Sequence, residues 1–109
     1  MKTRTDLPQR CYALLKNIPA GKVTTYKLLA EALDTQAYQA IGQILSKNPD
    51  LVRVPCHRVV KSNGEVGGYA SGEAAKIALL QQEGIEVVDR RIHNLNAVLY
   101  VFNDKPSKN

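Results

Sequence analysis

Apolar positions recur at helical spacing in the first half of this chain and fall into short, turn-bounded runs in the second. From Leu7 to Asn17, Cys11, Leu14 and Leu15 repeat on one side, the pattern of an amphipathic helix. Pro8 suits its first turn, where a backbone N–H has no partner in any case. Ile18-Pro19-Ala20-Gly21-Lys22 then breaks the periodicity. Thr24 or Thr25 stands where a helix needs an N-cap, ahead of a stripe of Leu28, Leu29, Ala32 and Leu33. After the link Asp34-Thr35 a third helix is predicted over 36–46, with Ala37, Ala40, Ile41, Ile44 and Leu45 buried and Gly42 allowing close packing. Two short helices joined by a tight polar turn match a helix-turn-helix unit. Many helical hairpins that bind nothing share that outline.

Asn48-Pro49-Asp50 ends the third helix, and a short strand is predicted over 58–61. Ser62 to Glu65 reads as a turn and Val66 to Gly72 as a glycine-rich loop. A helix over 73–82 follows, its apolar face formed by Ala74, Ile77, Ala78 and Leu80, with Gly84 placed to end it. Residues 85–88 and 97–102 have strand character and are expected to pair around the connection 89–96. From about Asn103 the chain is a polar tail. The fold expected is mainly α with short β elements, a winged-helix-like domain containing a helix-turn-helix, and 109 residues suffice for one such domain but not two.

Composition narrows this further. Apolar residues make up 44% of the chain, the globular range, yet no run approaches the roughly 18 apolar residues of a membrane span. The N-terminal stretch lacks the apolar core of a secretory signal, so an intracellular location is expected and both cysteines, Cys11 and Cys56, are expected to stay reduced. Net charge is +5, and its distribution says more than its size. Residues 1–60 carry nine Lys/Arg against four Asp/Glu, whereas residues 61–109 carry six of each. The excess positive charge thus lies with the predicted helix-turn-helix, where a polyanion would dock; a solvated basic face would have the same composition.

Candidate chemistry centres on Pro55-Cys56-His57-Arg58. A cysteine becomes a useful nucleophile when cations, a helix N-terminus or a histidine favour its thiolate. If Pro55 opens a helical turn, backbone N–H groups are free near the sulfur, and Arg58 adds positive charge. On an extended strand Cys56 and His57 would face opposite ways, so their cooperation requires a turn or a bridging water. A buried, inert cysteine beside a surface histidine has the same local sequence, and the run alone favours that inert reading.

The wider pattern reverses that preference. Pro55-Cys56-His57-Arg58-Val59-Val60, then Gly64, Val66-Gly67-Gly68-Tyr69 and Lys76 to Glu83-Gly84, resembles the O6-alkylguanine-DNA alkyltransferases. So do Gly21-Lys22-Val23-Thr24-Thr25-Tyr26 with Leu29-Ala30, Ala40-Ile41-Gly42 and Asn48-Pro49 upstream. The likeness runs in order over about residues 8–86 and concerns the family's C-terminal catalytic domain; the large N-terminal domain of many members has no counterpart in the sequence. It implies irreversible transfer of an alkyl group from O6-alkylguanine in DNA to Cys56, with no metal and no organic cofactor. His57 would act as base through a water, Glu83 would orient His57, and Asn48 would brace the cysteine segment. Tyr26 would donate to guanine N3, while Tyr69, Ala70 and Ser71 would contact the O6 side. Arg58 would lie at the DNA, and the carbonyls of Cys56 and Val59 would read the exocyclic amine. The partner implied is double-stranded DNA, entered from the minor groove by helix 36–46 with the lesion flipped out, by a protein acting as a monomer away from membranes.

One position departs from the family. An arginine finger usually precedes the Ala-Val-Gly stretch, and here Gln39 precedes Ala40-Ile41-Gly42; glutamine lacks the guanidinium plane and charge. Weaker base flipping is expected. Cys11 is read as a core residue, and His93 carries no signal. Three rival readings stay open: an alkyltransferase-like protein that binds the lesion and recruits other repair factors, a thiol hydrolase using Cys56 and His57, and a structural DNA-binding protein.

Overall fold

The computed structural model describes residues 7–102; the expected polar tail from Asn103 lies outside them. Helix α1 (Leu7–Leu15) buries Cys11 and Leu15. Strand β1 (Thr24–Thr25) leads directly into α2 (Tyr26–Ala32), and the Thr25 hydroxyl accepts from Leu28 N at 3.1 Å, which satisfies one of the orphan donors of the first turn. Helix α3 (Tyr38–Ser46) buries Ile41 and Leu45. It starts two residues later than its apolar pattern predicts. Thr35 Oγ1 accepts from Ala37 N at 3.1 Å and keeps 35–37 in a turn, so Ala37 caps the helix and is exposed, not buried. Helices α2 and α3 pack on each other as the helix-turn-helix.

The cysteine run forms a single 3-10 turn, Cys56–Arg58, capped by Pro55. Strand β2 (Val59–Val60) follows and pairs in parallel with β1, Thr24 against Val59 and Thr25 against Val60. This two-residue ladder ties the entry of α2 to the exit of the cysteine turn, although 35 residues separate Thr24 from Val59 in the chain. One apolar cluster joins α1, α2, α3, Val54, Cys56, Val59 and Phe102. A second joins Val23, Val60, Val66, Leu80, Ile85 and Ile92.

Helix α4 (Glu73–Gln82) has its predicted bounds but not its predicted face. Ala74 and Ala78 are exposed; Lys76 and Leu80, four residues apart, are the buried pair. The pairing of 85–88 with 97–102 does not form. Asp89 and Arg90, both with φ near +60° (52° and 63°), make a two-residue turn, and Val87–Val88 (β3) pairs instead with Arg91–Ile92 (β4). Ala97 and Val98 lie in a short helix, α5 (Leu95–Val98). The chain beyond it bridges back to the start of the fold, with Val23 N donating to Val98 O at 2.9 Å and Tyr100 N to Val23 O at 2.6 Å.

Candidate functional site

The 3-10 turn makes cooperation between Cys56 and His57 possible, because it removes the strict alternation of a strand. Cys56 is 4% exposed. Asn48, just past the end of α3, donates through Nδ2 to Val54 O at 2.7 Å and to Cys56 Sγ at 3.4 Å, and its Oδ1 accepts from Asp50 N at 2.8 Å. One buried amide therefore fixes the loop that carries the cysteine and supplies a donor to the sulfur. Burial pushes the Cys56 thiol above its ordinary pKa, and the Asn48 hydrogen bond and the Lys76 charge oppose that rise. Cys11 and Cys56 are both free thiols, and burial lifts Cys11 to about 12, the value of an inert core group.

His57 is fully buried. Its Nε2 lies 2.8 Å from Glu83 Oε2. Because the carboxylate can only accept, Nε2 carries the proton and Nδ1 holds the free lone pair. Nδ1 has no hydrogen-bond partner among the described residues. Burial lowers the His57 pKa against the opposing pull of Glu83, so the ring is held neutral. Glu83 in turn is gripped by Arg58, through Nε at 2.9 Å and Nη2 at 2.7 Å. Burial works to raise the Glu83 carboxyl, but the hydrogen bonds from Arg58 and His57, with their charges, hold it below the ordinary value.

Arg58 does not serve as expected. Its guanidinium points inward to Glu83 and donates through Nη1 to Ile18 O at 2.7 Å, with the side chain only 15% exposed. Its charge is spent on the carboxylate bonded to His57, which turns it away from the sulfur and from solvent. The cation that acts on Cys56 is Lys76. Lys76 is fully buried, and its Nζ donates to Val59 O at 2.7 Å and Gly68 O at 3.0 Å, 5.9 Å from the centre of the Tyr26 ring. Burial depresses its pKa to about 8. The sequence held a signal for it: Lys76 stands at helical spacing from Leu80, on the stripe that faces the core.

A cavity of about 690 Å³ opens over the sulfur. Cys56, Tyr26, Tyr69 and Ala70 line it, and so do Tyr38 and Gly42 of α3, so the helix-turn-helix forms part of the wall around Cys56. Burial raises the Tyr26 phenol, which keeps it protonated and able to donate. Tyr69 meets His57 edge-on at 6.3 Å. Gly67, at φ +78°, lets the loop approach Tyr26 closely; a Cβ there would stand 3.4 Å from the Tyr26 hydroxyl. Other expected residues lie elsewhere. Ser71 is exposed, outside the cavity lining. Gln39 and Ala40 line a separate groove on the outer side of α3. The carbonyls of Cys56 and Val59 already accept from Val59 N and Lys76 Nζ, leaving one lone pair on each for a ligand. Among the described residues no group of His, Cys, Asp and Glu could hold a metal ion, and no helix is long and apolar enough to cross a membrane.

The chain is similar to known proteins over the segment that carries this site. Residues 6–85 match the model of the 6-O-methylguanine DNA methyltransferase DNA binding domain, and Cys56, His57 and Glu83 all fall inside the match. A bifunctional methyltransferase/endonuclease of Picrophilus torridus is 47% identical over 88 residues, 80% of this chain and 30% of that protein. The crystal structure of O6-methylguanine-DNA methyltransferase from Pyrococcus kodakaraensis superposes with a TM-score of 0.69 and 42% identity, covering 75% of this chain and 48% of that one. S. pombe Atl1, in complex with damaged DNA containing O6-carboxymethylguanine, superposes with a TM-score of 0.73 at 26% identity over 92% of this chain and 98% of its own. The chain spans less than half the length of the curated relatives it matches. With its helix-turn-helix and its cysteine site both inside the matched region, the chain belongs to the 6-O-methylguanine DNA methyltransferase family through that family's DNA-binding domain.

Proposed function

We propose that the chain is a single, monomeric alkyltransferase unit that binds double-stranded DNA from the minor groove and takes the alkyl group of a flipped O6-alkylguanine onto Cys56. The observation that carries this reading is the junction of three features at one cavity: a buried Cys56 bonded to Asn48, the His57–Glu83 pair beside it, and a wall shared with α3. A guanine inside a duplex cannot reach a sulfur at such a depth, so the nucleotide must leave the stack. The thiol proton passes to the free Nδ1 lone pair of neutral His57, directly or through one water, and Glu83 stabilises the imidazolium that forms. The sulfur then bonds to the alkyl carbon as the carbon–O6 bond breaks. The guanine left in the DNA strand receives a hydrogen bond from the protonated Tyr26 phenol at N3, and the proton that left the thiol is finally delivered to that dealkylated base. Asn48 and Lys76 favour the thiolate against its burial. The thioether offers no route back to thiol, so each molecule acts once.

The test is an intact mass after incubation with an O6-methylguanine oligonucleotide. The expected result is a gain of one methylene, absent in Cys56→Ala. A second reading is favoured by the superposition on Atl1 and by Gln39 in place of an arginine: a lesion-binding protein that recruits other factors without efficient transfer. Tight lesion binding with no mass gain selects it, and repeated turnover would instead indicate a hydrolase.

A further inference from the structure

Tyr38 is the first residue of α3 and is 48% exposed, an unusual setting for a large aromatic ring. It lines the cavity over Cys56, and it also lines the groove on the outer side of α3 that contains Gln39. Tyr38 therefore stands on the rim between the place where a reacting base would sit and the surface on which the helix-turn-helix would meet a duplex. Gln39 lines the outer groove and not the cavity over Cys56. Lys27 and Lys61, exposed cations at the same cavity, suit an occupant that carries a phosphate backbone. A nucleotide that leaves a duplex exposes the π-face of its neighbour. An aromatic side chain can cover that face whatever the base, because every base has one.

From this placement we infer that Tyr38 is a stacking platform of the DNA interface, its ring covering the base left exposed in the duplex when the lesion enters the Cys56 cavity. The inference rests on the proposed function of that cavity, but it concerns binding and can be tested without transfer. Ring stacking, not bulk or charge, is the property it assigns. Leucine keeps apolar bulk without a π-face, and tryptophan enlarges the face.

The experiment measures fluorescence anisotropy of a duplex carrying O6-methylguanine, in a Cys56→Ala background that holds the complex unreacted. Tyr38→Ala and Tyr38→Leu are expected to weaken binding about tenfold to a hundredfold, the range that loss of one base–aromatic stack gives, whereas Tyr38→Trp retains wild-type affinity. A 2-aminopurine beside the lesion should be quenched by the Tyr38 protein and remain bright with Tyr38→Leu. Because the side chain is half exposed, all three variants should keep the parent melting temperature. Wild-type affinity in Tyr38→Leu with unchanged quenching would overturn the inference and leave Tyr38 as apolar filling at the cavity mouth. The mass assay on the unmodified chain separates the two proposals: no methyl gain there, together with the Ala/Leu/Trp pattern here, rejects transfer and retains the stacking platform.

Discussion

Replacing Lys76 by methionine tests whether a buried cation underlies this site. The ammonium is fully buried, with a pKa lowered from 10.5 to about 8 chiefly by burial. Below pH 8 both folded and unfolded chains carry its charge, and the folded protein bears the whole cost of burying it. Between about pH 8 and 10.5 the unfolded chain keeps a proton that the folded protein has released, so this group makes stability rise with pH. At about 1.4 kcal/mol per pH unit, the rise from pH 8 to 10 amounts to about 3 kcal/mol. Methionine preserves the apolar stem but leaves the carbonyls of Val59 and Gly68 without their donor, at about 1–3 kcal/mol each and independent of pH. The raised thiols and phenols act in the opposite sense, since a raised acid loses its stabilising effect as pH climbs. Working in a Cys56→Ala background removes the group most directly coupled to Lys76, and the others are common to both proteins. Urea unfolding at pH 7.5 and pH 10 should then show the stability of the parent, taken relative to its Lys76→Met variant, rising by about 2–3 kcal/mol. No change, or a fall, in that relative stability would refute a buried ammonium and with it the electrostatic support of Cys56. Lys76→Gln, which keeps a donor, serves if the methionine variant does not fold.

Other perturbations probe the same geometry. Asn48→Ala removes the donor to Cys56 Sγ and the clamp on Val54; stability should fall by about 2–4 kcal/mol, and the pH midpoint of iodoacetamide labelling at Cys56 should move upward. Glu83→Gln removes the charge that lifts the His57 pKa, so the imidazole titration seen by NMR should move to lower pH. Because Glu83 is depressed in the folded protein, it stabilises above its ordinary value of 4.5 and that contribution disappears as pH falls; acid unfolding of Glu83→Gln should lack this component. Val52 is exposed with φ +79°, a region costly for a β-branched residue, and Val52→Gly should stabilise the chain by about 1 kcal/mol in thermal unfolding. Gln39→Arg adds a cation to the outer groove of α3; it should raise the repair rate on duplex substrate and steepen the salt dependence of DNA binding by about one ion.

Much of the helical skeleton was legible because amphipathic spacing and caps are local properties. Helix α4 has its predicted bounds, and α2 has its Thr25 cap. The motif residues Cys56, His57, Asn48 and Glu83 could likewise be named from their order and separation. Their partners could not. Arg58 reads as a free cation in the sequence, yet the 3-10 turn aims it at Glu83 and Ile18 O. The partners of Lys76 appear only when α4 packs it under β2 and the Gly68 loop. The strand-like run at 97–102 failed as a hairpin partner because the Asp89-Arg90 turn closed a shorter hairpin first and left Leu99 to bridge Val23.

The division has a physical cause. Periodicity, capping residues and turn formers act over a few positions, so the sequence by itself determined where most of the helices run and which side chains are candidates for chemistry. Charge and hydrogen bonding act through space. Whether a cation serves sulfur, carboxylate or solvent depends on which segments the β1–β2 ladder brings together, and that pairing spans 35 residues. Only the tertiary structure decided that Arg58 braces His57 through Glu83, that Lys76 is buried under β2 with its charge favouring the Cys56 thiolate, and that Tyr38, not Gln39, stands at the mouth of the cavity.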